Sequence, residues 1–192
     1  MVVGPPGPSM DRATFANALR ESTPLVGGWS TTADPVLLEV LASDGFDFVV
    51  VDGEHSENTI ADLAAGVRAI DAAGRDDTQS VVRVSGADRA EIRRVLDFGP
   101  GGVLIPQIES LDEARAAVAA TAYPPEGVRG VAGGRASGYG ADLAAAVATD
   151  DERVATILQI ETAGALDAVE DIVDLDGLDA LFVGPADLSA RL

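Results

Sequence analysis

Three residue types are missing or nearly missing from this 192-residue chain, which has no cysteine, no lysine and one histidine. Without cysteine there is no disulfide, thiolate metal site or sulfur nucleophile, so any chemistry must come from oxygen and nitrogen groups. Without lysine there is no side-chain amine to form a Schiff base with a carbonyl substrate, and carbanion chemistry must use a metal. Positive charge is scarce altogether. All 13 basic residues are arginines, set against 21 Asp and 11 Glu, and the net charge is −19. The acids are spread along the chain, which excludes the basic footprint that nucleic acids and anionic membranes require. Such an Asp-rich, lysine-free surface resembles proteins of high-salt cytoplasm. No apolar run approaches the ~18 residues of a membrane span, and Met1 to Ser9 is a Gly/Pro-rich stretch with no signal-peptide core. The expected location is therefore the cytoplasm.

What is present is a regular alternation. With 47% hydrophobic residues and no shift in composition, the chain is read as one domain over 13–192, preceded by a flexible tail over 1–12. Short β-rich runs occur at Leu25 to Trp29, Phe46 to Val51, Ser80 to Val84, Gly102 to Ile105, Val154 to Ile160 and Ala180 to Val183. Most are nearly continuous in apolar residues, which suits parallel strands covered on both faces. Between them, Ile60, Leu63, Ala64, Val67 and Ile70 recur at helical spacing, as do Leu111, Ala114 and Val118, and Leu166, Val169, Ile172 and Val173. Ser110 and Glu113 form a capping box, and Asn58 and Asp88 are predicted N-caps. Strand and helix alternation predicts a parallel α/β fold, either a barrel or a doubly wound sheet. The glycines disfavour the sheet: Gly99-Pro100-Gly101-Gly102 precedes a strand and Gly27-Gly28 lies inside one, whereas a dinucleotide loop follows its strand. The glycine-rich stretch from Gly133 to Gly140 is read as a flexible loop, with an anion-binding nest of backbone N–H groups as the alternative.

In parallel α/β folds the reactive face lies at the C-terminal ends of the strands. The second run leads into Asp52-Gly53-Glu54-His55, the fifth into Gln159-Ile160-Glu161-Thr162, and the sixth into Gly184-Pro185-Ala186-Asp187. Arg83 is a charge inside the third run, and a buried charge is costly unless it is paired. The lone His55, beside Asp52 and Glu54, has the surroundings of a general base oriented by a carboxylate. Glu161 and Asp187 end consecutive strands. Two carboxylates completed by water and substrate oxygens describe a hard-cation site, and an ion pair with Arg83 is the competing role for them.

Taken in order, these motifs resemble the HpcH/HpaI aldolase family of the phosphoenolpyruvate/pyruvate barrels. The resemblance runs from about Phe15 to Leu192. It is carried by Gly27-Gly28-Trp29, Asp52-Gly53-Glu54-His55, Val82-Arg83, Leu96-Asp97-Phe98-Gly99, the stretch Tyr123 to Val131, Gln159-Ile160-Glu161-Thr162 and Gly184 to Ser189. It implies a TIM (β/α)8 barrel and a class II aldolase that cleaves 4-hydroxy-2-oxo acids to pyruvate and an aldehyde through a metal-stabilised pyruvate enolate. By the same resemblance, Glu161 and Asp187 hold Mg²⁺ or Mn²⁺, with Co²⁺ as a further option. His55 moves the proton, Asp52 or Asp97 orients it, Arg83 neutralises the enolate oxygen, and Trp29 and Gln159 line the substrate pocket. The Gly130 to Ser137 loop matches the family's with a short deletion.

The chain departs from the family in length. Family members have about 250 residues, the usual barrel size, so the expectation is a barrel that stops after about six β/α units. Two strand edges are then left unpaired, which favours self-association; the full-length family implies a homo-oligomer. The alternatives are a catalytically silent remnant, a subunit that requires a partner, or an acyl-CoA lyase of the same superfamily, against which the Asp-Gly-Glu-His spelling speaks.

Overall fold

The computed structural model describes residues 10–74, 77–141 and 143–191. The six apolar runs form β1 (Gly27–Ser30), β2 (Phe48–Asp52), β3 (Gln79–Arg83), β4 (Gly102–Ile105), β5 (Ala155–Ile160) and β6 (Ala180–Val183). They form one parallel sheet in the order β1-β2-β3-β4-β5-β6. A doubly wound sheet reverses its order about the first strand, so this sequential order decides for the barrel. The sheet is strongly curled. Trp29 on β1 and Phe182 on β6 stack with ring centroids 5.5 Å apart, although they stand on the two outermost strands. β1 and β2 start two residues later than predicted, because Asp47 closes the gap before them: its side chain accepts the Val26 N–H at 2.7 Å, and its N–H donates to the Val26 carbonyl.

Strand side chains alternate between two apolar layers. Val49, Val51, Val82, Val103, Ile105 and Leu158 face outward onto α2 (Pro35–Ala42), α3 (Ile60–Gly74), α4 (Arg89–Asp97) and α5 (Leu111–Thr121). Val50, Val81, Leu104, Ala155 and Ile157 face inward, where Phe15 and Ala16 of α1 (Arg12–Arg20) close the end at which the strands begin. α6 (Leu143–Arg153) precedes β5, α7 (Ala163–Asp167) and α8 (Val169–Val173) precede β6, and α9 (Pro185–Arg191) follows it. No helix among the described residues is long and apolar enough to cross a membrane.

Several local expectations change. Residues 1–9 of the predicted tail lie outside the described residues, but its last three are ordered: the Met10 carbonyl accepts from Gln79 Nε2 at 2.6 Å, and Asp11 caps α1. Ser110 and Asp88 cap α5 and α4 as predicted. Glu113, however, accepts from the Glu109 N–H rather than that of Ser110. Asn58 is not a cap. Thr59 and Asp62 cap α3 reciprocally, leaving the Asn58 amide to bind Ala33 N, Thr31 O and Asp52 O. The helix predicted over 166–173 is broken at Ala168 into α7 and α8. The glycine-rich stretch makes a 3-10 turn over Arg135–Gly140, and Arg135 donates to the Phe98 carbonyl, at the opposite end of the sheet from the strand-end carboxylates.

Candidate active site

Asp52 and Arg83 are register partners at the ends of β2 and β3, so their side chains leave the sheet on the same inner face. Arg83 Nε and Nη2 donate to the two Asp52 oxygens at 2.8 and 2.5 Å, a bidentate pair that is almost wholly buried. Asp52 Oδ1 also accepts the backbone N–H groups of Glu54 and His55, which turns the chain sharply after the strand. Gly53 makes this turn possible. Its N–H donates to the Arg83 carbonyl, and a Cβ there would lie 2.6 Å from that oxygen. Burial alone would push the Asp52 carboxyl up, but hydrogen bonds from Arg83 and Glu54, the Arg83 charge and the His55 N–H outweigh it and hold the group below its ordinary value.

A second carboxylate faces the same guanidinium. Glu54 Oε2 lies 2.8 Å from Arg83 Nη1, an ion pair at close range without hydrogen-bond alignment. One face of the guanidinium lies over the Trp29 ring at 4.7 Å. Arg83 is thus fixed from three sides. A guanidinium has five N–H donors, and those not directed at Asp52 or Glu54 remain for a ligand.

Across the mouth, Glu161 follows β5 and is only 2% exposed. Its Oε1 accepts the Gln107 backbone N–H at 2.7 Å, and its Oε2 accepts from Gln159 Nε2. Among the described residues no arginine pairs with it; Arg83, the competing partner foreseen for it, binds Asp52 and Glu54 instead. Gln159 Oε1 is buried with no hydrogen-bond partner among those residues. Gly184 keeps the space beside them open, since a Cβ there would stand 3.1 Å from both Gln159 Nε2 and Glu161 Oε2. The β5–β6 register places Glu161 beside Gly184, and Asp187 lies in the first turn of α9. A buried carboxylate held by neutral donors, with no cation beside it, fits a divalent ion. No cluster of three His, Asp or Glu occurs among the described residues, so such an ion would rely on water and substrate oxygens as well.

The structure brings Asp52, Arg83, Trp29, Gln159 and Glu161 to one mouth, with Asp187 at the neighbouring strand end. His55 is at the rim, its ring 67% exposed and its Nε2 3.9 Å from Glu54 Oε1. Asp97 is elsewhere. It ends α4, near where β4 begins, and faces Arg129 at 3.9 Å, so within this chain it does not orient His55. Asp52 reaches only the backbone of His55, which leaves Glu54 as the carboxylate facing the ring. Two residues in the cluster were not foreseen: Asn58, which ties the loops after β1 and β2 together, and Gln107, which touches Glu54 and Glu161. The signal for Gln107 was its place immediately after the fourth strand, in Ile105-Pro106-Gln107.

A curled parallel β/α sheet with acidic groups and one fixed arginine at the C-terminal ends of its strands has the architecture of a barrel enzyme, whose active site lies at that face. The model of the HpcH/HpaI aldolase/citrate lyase family matches residues 25–192, and the chain belongs to that family. It is 42% identical over 177 residues to a 4-hydroxy-2-oxovalerate aldolase of Novosphingobium aromaticivorans, covering 92% of this chain and 66% of that one. It is 39% identical to a hydroxypyruvate/pyruvate aldolase of Roseovarius nubinhibens, covering 93% and 69%. The crystal structure of a family protein from Burkholderia cenocepacia superposes with a TM-score of 0.87 at 38% identity, over 93% of this chain and 71% of that one. The chain thus spans about two thirds of the length of these relatives, and the six units are the matching part of their barrel.

Proposed function

We propose that this chain carries the reaction centre of an aldolase that cleaves 4-hydroxy-2-oxo acids to pyruvate and an aldehyde, with a divalent cation, Mg²⁺ or Mn²⁺, at Glu161 and Asp187. The observation that carries the proposal is Glu161: a buried carboxylate held by Gln107 and Gln159 with no arginine partner among the described residues, at the same strand-end mouth as the Arg83 that Asp52 and Glu54 hold in place. When bound, the cation supplies Lewis-acid stabilisation of the charge that builds on the 2-oxo oxygen. His55, at the rim, takes the proton from the 4-hydroxyl group as the C3–C4 bond breaks and the electron pair passes to C3. Arg83 opposes the resulting negative charge with the N–H groups it has left, preorganised by Asp52, Glu54 and Trp29. Gln159 and Trp29 line the pocket in which the oxo acid lies.

The test is release of pyruvate from a 4-hydroxy-2-oxo acid by the purified protein in high salt with Mg²⁺ or Mn²⁺, followed through coupled reduction of pyruvate. Activity is expected to vanish on chelation and in the Glu161→Ala, Asp187→Ala double variant. Pyruvate release that survives either treatment overturns the metal assignment, and a folded, metal-binding wild type that releases none supports the silent-remnant alternative.

A further inference from the structure

Gln107 joins the two halves of the mouth. Its backbone N–H donates to Glu161 Oε1 and its side-chain Nε2 donates to Glu54 Oε1, each at 2.7 Å. The backbone adopts φ +59° there, a left-handed conformation that costs a non-glycine residue energy and persists only where its surroundings impose it. The result is one residue aiming two donors at two carboxylates that follow different strands, β2 and β5. Glu54 is then held at both oxygens, Oε1 by Gln107 and Oε2 by Arg83, while Arg83 lies over Trp29. If the Gln107 amide is removed, Glu54 loses its aligned side-chain hydrogen bond and keeps its unaligned contact with Arg83 and the longer one with the exposed His55 ring at 3.9 Å, so it can turn about its side-chain torsions.

We propose that Gln107 is a positioning residue for the reaction: its side chain locks Glu54, and through Glu54 the pose of Arg83 over Trp29, while its backbone N–H independently fixes Glu161. This assignment rests on the aldolase reading of the mouth. Because the two donors belong to different parts of the residue, they separate by mutation. Gln107→Met removes the side-chain donor at nearly equal size and leaves the N–H toward Glu161. Gln107→Gly does the same while relieving the positive φ, so it serves if the methionine variant folds poorly.

The experiment has three readouts. Trp29 is the only tryptophan of the sequence, so its emission reports the guanidinium above it without any turnover. Both variants are expected to shift that emission, and to keep Mn²⁺ affinity of the protein alone within about twofold, because the Glu161 donor is untouched. In pyruvate release, kcat/KM is expected to fall about tenfold, the size of one hydrogen bond to a charged group. The loss should not add to that of Glu54→Gln in a double-mutant cycle, since the two residues act through one contact. Unchanged emission with unchanged kcat/KM, full additivity with Glu54→Gln, or a loss of Mn²⁺ affinity as large as that of Glu161→Gln would each overturn the assignment. A wild type that releases no pyruvate defeats the aldolase reading instead, and the emission shift still decides whether Gln107 holds Glu54 and Arg83.

Discussion

Asp52 fastens Arg83 with its carboxylate and turns the chain by accepting two backbone N–H groups on Oδ1, and the first of these tasks requires its charge. Replacing it with Asn leaves a buried guanidinium with a poorer partner. The expected cost is about 3 kcal/mol, the lower end of breaking a buried ion pair because Glu54 remains, and denaturant unfolding measures it. The pH dependence follows in sign from the lowered pKa. A carboxyl more acidic in the folded state contributes stability above its ordinary value of 3.8, and that contribution is lost as pH falls through the folded value. The wild type is therefore expected to lose stability below about pH 4 more steeply than Asp52→Asn. Gly53→Ala tests the turn itself: a methyl group 2.6 Å from the Arg83 carbonyl must push β2 and β3 apart at the mouth, at about 1–3 kcal/mol of overpacking. Gly53 was legible in the sequence only as part of a motif. Its physical role depends on how closely the neighbouring strand passes.

Among the elements, sequence periodicity revealed α3, α5 and the α7–α8 stretch, and of the helices it did not reveal, α1 is the one that closes the inner layer. Its buried face consists of Phe15, Ala16 and Ala18, and alanines give no apolar stripe to read. In the fold it seals the inner layer, with the Phe15 ring 5.5 Å from that of Phe48. Phe15→Ala is expected to cost about 3–5 kcal/mol as a cavity at a fully buried aromatic site, seen as a lower denaturant midpoint at unchanged slope. α1 is also tied down by Arg20, which pairs with Asp179 just before β6, while Asp179 Oδ2 accepts the Thr156 N–H at 2.7 Å. Burial raises the Asp179 carboxyl, and the Thr156 N–H and Arg20 only partly oppose it. The sign is then opposite to that of Asp52. The folded state takes up the proton first, so this group adds stability below its ordinary pKa, and the contribution is lost as pH rises through the folded value. Arg20→Ala is expected to cost about 1–2 kcal/mol at neutral pH, reduced because Arg20 is partly exposed and screened. That cost should shrink on acidification, as unfolding curves at pH 4 and pH 7 would show. The break between α7 and α8 was invisible for another reason: no Pro or Gly marks Ala168, and the apolar spacing runs straight across it.

On the scale of the whole molecule, 32 acids against 13 arginines make self-repulsion a general term that opposes compaction. At 0.1 M salt the screening length is about 10 Å and at 1 M about 3 Å. The thermal midpoint is therefore expected to rise steadily with KCl over that range, and a midpoint independent of salt would show that the acids are already compensated. The outermost strands also leave apolar side chains uncovered, with Val26 before β1 64% exposed and Val183 at the end of β6 57% exposed. Since the salt that screens repulsion also strengthens apolar contact, light scattering is expected to show association of the 192-residue chain growing over the same series.

Strand number, parallel direction and the strand-end identities of Asp52, Gln159, Glu161 and Asp187 follow from the sequence by itself. Apolar runs covered on both faces, bounded by polar residues and separated by one-sided helices, have few other packings. Arg83 was legible for the same reason, as a charge where only a paired one survives. The pairing was not. Whether Arg83 meets Asp52 and Glu54 or Glu161, whether Asp97 reaches the mouth, and that Gln107 spans two carboxylates all depend on which strand ends become neighbours around the curl and how each side chain turns there. Hydrophobic pattern is local along the chain and specifies the elements. Pairing at the mouth is set between residues far apart in the chain, Asp52 with Arg83 31 positions away and Gln107 with Glu54 and Glu161 53 and 54 away, and only the curled sheet brings those groups within reach.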